Sequence, residues 1–139
     1  MPVAVSELLD RAEASLQQAS FTSDLGERYV AAHLAALRAA AAVLAARTAP
    51  SSPSRPRSVW EVLPKLAPDL AEWAAFFAVS GRRRSAIERG DRPVSARQAD
   101  DLIRQAEAFV QLVHEVLGVD RPGQLALRTQ FLVPATRTS

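Results

Sequence analysis

Few side chains in this sequence can do chemistry. Its two imidazoles, His33 and His114, stand in a chain of 139 residues without a cysteine, which excludes disulfides, thiolate metal sites and thiol nucleophiles. Two histidines alone do not make a transition-metal site unless carboxylates converge on them, so neither a metal nor another cofactor is expected. His33 falls beside a face carrying Tyr29, Ala36 and Ala40, where a packed, hydrogen-bonded imidazole is the expectation. His114 falls at the border of a later apolar stripe and is expected to be a partly exposed flank residue. No phosphate-binding glycine loop, paired-histidine metal helix or nucleophile elbow occurs in the sequence.

Positive charge is concentrated in one place. Arg82, Arg83, Arg84, Arg89 and Arg92 face only Glu88 and Asp91 in sequence, a local +3 in a chain whose net charge is +2. Such a cluster can neutralise phosphates, but no aromatic residue is interleaved with it, so stacking of bases is not supported. The pI of about 9.9 reflects arginine supplying 16 of the 17 basic residues, not a strongly basic surface. Arg97 and Arg104 each lie four residues from an aspartate, Asp101 and Asp100, which leaves their face neutral. A DNA-binding helix-turn-helix needs a small residue where its helices cross. Phe77, followed by Gly81 and Ile87 at the motif's offsets, puts a ring there instead.

These residues must be positioned by helices. Alanine occupies 27 positions and glycine 5, a bias towards the best helix former. Leu8, Leu9, Ala12, Leu16 and Ala19 form one stripe of a first segment, about residues 6–18, which Ser6 can cap. Asp24-Leu25-Gly26-Glu27 opens a second, reaching about Arg47, with Val30, Leu34, Leu37, Ala41 and Leu44 at helical spacing; it would be a rod about 36 Å long. Its alanines allow close approach of neighbouring axes, so it is expected to be the spine of the fold. Prolines 50, 53 and 56 make 48–57 a loop. Ser58-Val59-Trp60-Glu61 starts a short helix, followed by a longer one from Asp69 that carries Leu70, Trp73, Ala74 and Phe77 inwards. On an unbroken helix Arg84 would continue the Leu70 and Phe77 line, so either the helix breaks near Ser80 or Arg84 turns its head outwards. Ser95 and Gln98 cap the last helix, whose stripe from Ala99 to Leu117 is the clearest in the chain and ends at Gly118.

Amphipathic helices without strands can hide their stripes only against one another. The expected fold is therefore all-α, an up-down four- to five-helix bundle over 1–118, with a loosely ordered tail over 119–139 in which Phe131, Leu132 and Val133 pack locally. Such packing leaves no room for a reactive pocket. Phe76 and Val79, joined by Ile87 if the helix is unbroken, make an extra apolar face suited to a protein partner or a second copy of the chain. The apolar stretch from Val30 to Ala46 is mostly alanine and is interrupted by His33 and Arg38, and no leader pattern opens the chain. A cytoplasmic protein without membrane association is expected.

The segments SELLDRAEASL, ERYVAAHLAALRAAAAVLAAR, RPRSVWEVLPKLAPDLAEWAAFF and ADDLIRQAEAFVQLVHEVLG, which with their loops span about residues 6–118, resemble the actinobacterial, SAV-type branch of the HEPN family, the higher eukaryotes and prokaryotes nucleotide-binding domain. The resemblance implies a helical bundle that often dimerises, acting either as a metal-independent ribonuclease or as a non-catalytic binder of RNA, nucleotide or protein. Ribonuclease members carry an arginine followed a few residues on by a histidine near the start of the final helix. Arg97 and Arg104 have no such histidine, and only Arg28 to His33, in the second segment, matches the bare pattern. Those two side chains would diverge by about 140° around a helix, so no catalytic residue is carried over and a non-catalytic, RNA-, nucleotide- or protein-binding bundle is the expectation. The competing enzymatic reading has Arg28 orienting the phosphate and His33 acting as general base. A third reading makes Arg82 to Arg84 a contact to DNA.

Overall fold

The computed structural model describes residues 3–48 and 58–122. Among them there are five α-helices and no strand: α1 (Val3–Phe21), α2 (Leu25–Arg47), α3 (Val59–Leu66), α4 (Ala71–Glu88) and α5 (Ala96–Leu117), with a 3-10 turn at Pro68–Leu70 leading into α4. The bundle is the all-α architecture that the periodicity predicts. The prolines of 49–57 and the Phe131 to Val133 segment lie outside the described residues.

Helix α2 is the spine, packing against all four other helices, with α1 and α5 as its main neighbours. Its buried face is built from Ala32, Ala35, Ala36, Ala39, Ala40, Ala42 and Val43, together with Tyr29 and His33. The Val30, Leu34, Leu37, Ala41 and Leu44 series is only half-buried along the edges of that face. Methyl-sized side chains let the partner helices come in close, and the leucines fill the wedges between axes. α2 is the one described helix long and apolar enough to cross a membrane, and its small side chains are instead packed inside the bundle.

Several boundaries differ from expectation for identifiable reasons. α1 begins at Val3, not near Ser6, because Val5 belongs to its buried stripe. Asp24 accepts from the Glu27 amide, but Glu27 takes the Thr22 hydroxyl at 2.8 Å and does not return to Asp24, so only half of that capping box forms. Ser58 likewise caps the Trp60 amide alone. The box at Ser95 and Gln98 is complete. α4 runs unbroken through Ser80 and Gly81, and Arg84 turns outwards to Glu88. Two glycines take the left-handed conformation that other residues avoid: Gly90 (φ 76°) turns the chain between α4 and α5, and Gly118 (φ 69°) ends α5.

Phe77, too large for a helix crossing, is the hub of an aromatic cluster. Its ring stacks on Trp60 of α3 at 5.2 Å and on Trp73 at 6.1 Å, and meets Phe109 of α5 at 5.2 Å. Beyond α5 the chain is tied back. Arg121 grips both carboxylate oxygens of Glu13 on α1 at 2.6 and 2.7 Å and reaches Glu107 at 2.6 Å, so residues 119–122 are anchored and not loose. His114 belongs to this corner. It is 3% exposed, its Nδ1 donating to the Val119 carbonyl at 2.9 Å, which corrects its expected place on an exposed flank. The turn after Gly118 folds over the ring.

Candidate functional site

His33 stands on α2 at the level where α4 crosses it. The ring is 2% exposed, edge-on to Trp60 and Phe77, with Nδ1 2.7 Å from the Ser80 hydroxyl. With the Ser80 proton on the Phe77 carbonyl at 3.1 Å, Ser80 accepts from His33 and the imidazole proton sits on Nδ1; with that proton on His33 instead, the two roles exchange. In the first arrangement Nε2 is an acceptor. Burial, helped by the charge of Arg84, lowers the His33 pKa to about 4, and the ring is neutral at physiological pH.

The packed imidazole was legible in the sequence; the crevice above it was not. His33, Trp60, Gly81, Leu37, Ala78 and the first turn of α3 line a space of about 450 Å³, with Arg82, Arg84 and Glu61 at its mouth. Close packing thus leaves a crevice beside the ring. A Cβ at Gly81 would lie 3.2 Å from His33 Cε1 and 3.3 Å from Nε2, so the missing side chain is what lets α4 close over the imidazole. The Trp60 indole N–H, 3.9 Å from that same point, is buried without a hydrogen-bond partner.

Arg28 does not join His33. Its guanidinium turns to Asp100 on α5 at 3.2 Å, while the imidazole turns to Ser80 on α4. Asp100 is thereby withdrawn from Arg104, which pairs with Asp101 instead. The five arginines expected to form one patch are shared out. Arg83 bonds the phenol of Tyr29, whose pKa is raised by burial against the opposing pull of Arg83 and Arg92; Arg84 pairs with Glu88 at 3.2 Å and Arg89 with Asp91 at 2.8 Å. Arg82 stays exposed at the crevice mouth.

Ile87 also leaves its expected face. It packs into the core beside Gly26, where an added Cβ would meet its Cγ2 at 3.3 Å, so only Phe76 (43% exposed) and Val79 (49%) remain on the outer apolar strip. A larger groove of about 890 Å³ runs between α1, the start of α2 and the turn into α5. It sets Asp24, Glu27 and Glu88 against Arg38 and Arg92, offering neither an imidazole nor a dominant sign of charge. Among the described residues no three His, Asp or Glu side chains gather as metal ligands must.

A family model of SAV-like HEPN domains matches residues 19–114, from the end of α1 to the last turn of α5. The chain belongs to the HEPN family. The match takes in the whole of α2, α3 and α4, and with them every residue of the crevice. No curated protein and no solved structure matches this HEPN chain. An imidazole that releases its proton near pH 4 is a weak base, and it cannot hold a proton at neutral pH to give to a leaving group. It is suited to accepting a hydrogen bond.

Proposed function

We propose that this HEPN bundle is a non-catalytic binding module whose ligand is RNA, held at the arginine-bearing stretch of α4 and the turn that follows it. The observation that carries the reading is the divergence of the two groups a metal-free ribonuclease would use: Arg28 is committed to Asp100, and His33 to Ser80, on different helices. A guanidinium and an imidazole that do not share a phosphodiester can hold RNA but not cleave it. Among the described residues Arg82, Arg83 and Arg92 of the cluster have no carboxylate partner; Arg83 is taken up by the Tyr29 phenol, which leaves Arg82, beside the crevice, and Arg92, beside the larger groove. They are the ones available to phosphates.

Binding of a short single-stranded RNA, followed by fluorescence anisotropy against salt, tests this. The parent should lose affinity steadily as salt rises, and the Arg82→Glu/Arg92→Glu double variant should bind at least about tenfold more weakly with a shallower salt slope. RNA binding that is absent, or indifferent to both substitutions, overturns the reading. Tighter binding to duplex DNA than to RNA would favour the regulator reading instead.

The Phe76 and Val79 strip supports association with a second copy of the chain, and the enclosure of α2 by its neighbours supports a soluble protein. Sedimentation of the parent should give a dimer and that of Phe76→Glu a monomer. Equal monomeric masses would refute the pairing.

A further inference from the structure

We infer that the groove between α1, the start of α2 and the turn into α5 is a docking site for a short extended peptide segment in which a basic and an acidic residue flank apolar ones. The inference stands apart from the RNA reading.

The base of the groove is one line along α2. Glu27, Val30, Ala31, Leu34 and Arg38 all line it, and their three- and four-residue spacing sets them on a single face of the helix. Glu27 and Arg38 end that line, about 16 Å of helix rise apart. The stretch between them is apolar. Ile87 of α4 and Val94 of the turn into α5 add to it.

Both ends carry charge that the fold leaves uncompensated. Arg38 is half-buried, and its hydrogen bond goes to the neutral Ser15 hydroxyl at 2.6 Å; among the described residues it has no carboxylate partner. A guanidinium has several N–H donors, so most of those on Arg38 remain for a ligand. At the other end the Glu27 carboxylate takes the Thr22 hydroxyl and the Asp24 carboxylate takes the Glu27 amide, neither of them a cation. Glu88, the third acid of the groove, is already held by Arg84. Arg92 stands on the exposed turn, outside the α2 line.

The complementary occupant offers a carboxylate to Arg38, a cation to Glu27 and Asp24, and apolar side chains to the stretch between. A lone amino acid holds its two charges too close together to reach both ends. Five extended residues span roughly 13 Å from first to last Cα, and long charged side chains supply the rest. The groove volume of about 890 Å³ lies in the ~300–1,000 Å³ range of small-ligand sites, which is room for a few residues. Partial burial of Arg38 makes its pairing with a carboxylate stronger than a fully solvated ion pair.

NMR titration of the methyl-labelled protein with four end-blocked pentapeptides tests the inference. They are acetyl-Arg-Leu-Ala-Leu-Glu-amide, the same sequence reversed, and the forms with arginine at both ends or glutamate at both ends. One of the two dipolar peptides should shift the Val30, Leu34 and Val94 methyls and bind at least about tenfold tighter than either uniformly charged one. Arg38→Gln should weaken it about tenfold, and Glu27→Lys, an exposed change that leaves the core intact, at least about fivefold. Glu27→Lys decides alone if Arg38→Gln does not fold. The inference is wrong if neither dipolar peptide moves those methyls, if all four bind alike, or if Glu27→Lys binds as the parent does. The same methyls moved by single-stranded RNA and by none of the peptides would give the groove to nucleic acid, and that result too would overturn it.

Discussion

His33 is held by geometry that also sets its charge. Ser80, within 3.1 Å of the Phe77 carbonyl, holds Nδ1 at 2.7 Å, and Trp60 and Phe77 exclude the water an imidazolium would need. The unfolded chain takes up this proton near pH 6.5, whereas the folded chain resists it until about pH 4. Stability is therefore lost as pH falls from about 6.5 towards 4, by on the order of 2–3 kcal/mol for this group. Urea unfolding at pH 7 and pH 5 should show a larger loss for the parent than for His33→Gln, which has no such proton to gain. Equal losses would mean that the ring is not desolvated. The sequence disclosed that His33 would be packed, because its neighbours on the helix are apolar. It did not disclose the partners, since Ser80 is 47 residues away and on another helix.

At the level of the helices, α2 controls how closely the others approach. Ala39 is fully buried on its alanine face, and the room a leucine needs there is already taken by other side chains. Ala39→Leu should cost about 1–3 kcal/mol in chemical denaturation, whereas the same change at exposed Ala45 should be near neutral. A neutral Ala39→Leu would show that α2 is less tightly enclosed than its burial implies. Helix type and order were readable from the 3.6-residue period, most clearly in α5, where Leu102, Ala106, Phe109, Val110 and Val113 are all buried. The period was less informative in α2, where apolar residues surround most of the helix and the leucine series marks an edge of the buried face. It left α4 open between a break and an outward Arg84, because a glycine followed by three arginines reads as a break, while Gly81 in fact sits mid-helix where His33 needs space.

The whole bundle is closed by contacts between residues far apart in the chain, which local pattern cannot reveal. Arg121 meets Glu13 across 108 positions, and both Arg121 and Glu13 are largely buried. Arg121→Ala should destabilise the protein by about 2 kcal/mol, seen as a lower urea midpoint, because it leaves Glu13 without its bidentate partner. A variant as stable as the parent would mean the chain after α5 contributes nothing to holding α1. The crevice is equally non-local, assembled from α2, α3 and α4, and the same assembly turns Arg28 away from His33. The most direct trial of that arrangement is incubation of the purified protein, in excess chelator, with a labelled single-stranded RNA, beside His33→Ala. A HEPN module that binds without cutting leaves the RNA intact in both samples. Cleavage by the parent that disappears in His33→Ala would contradict the account and make His33 a catalytic residue.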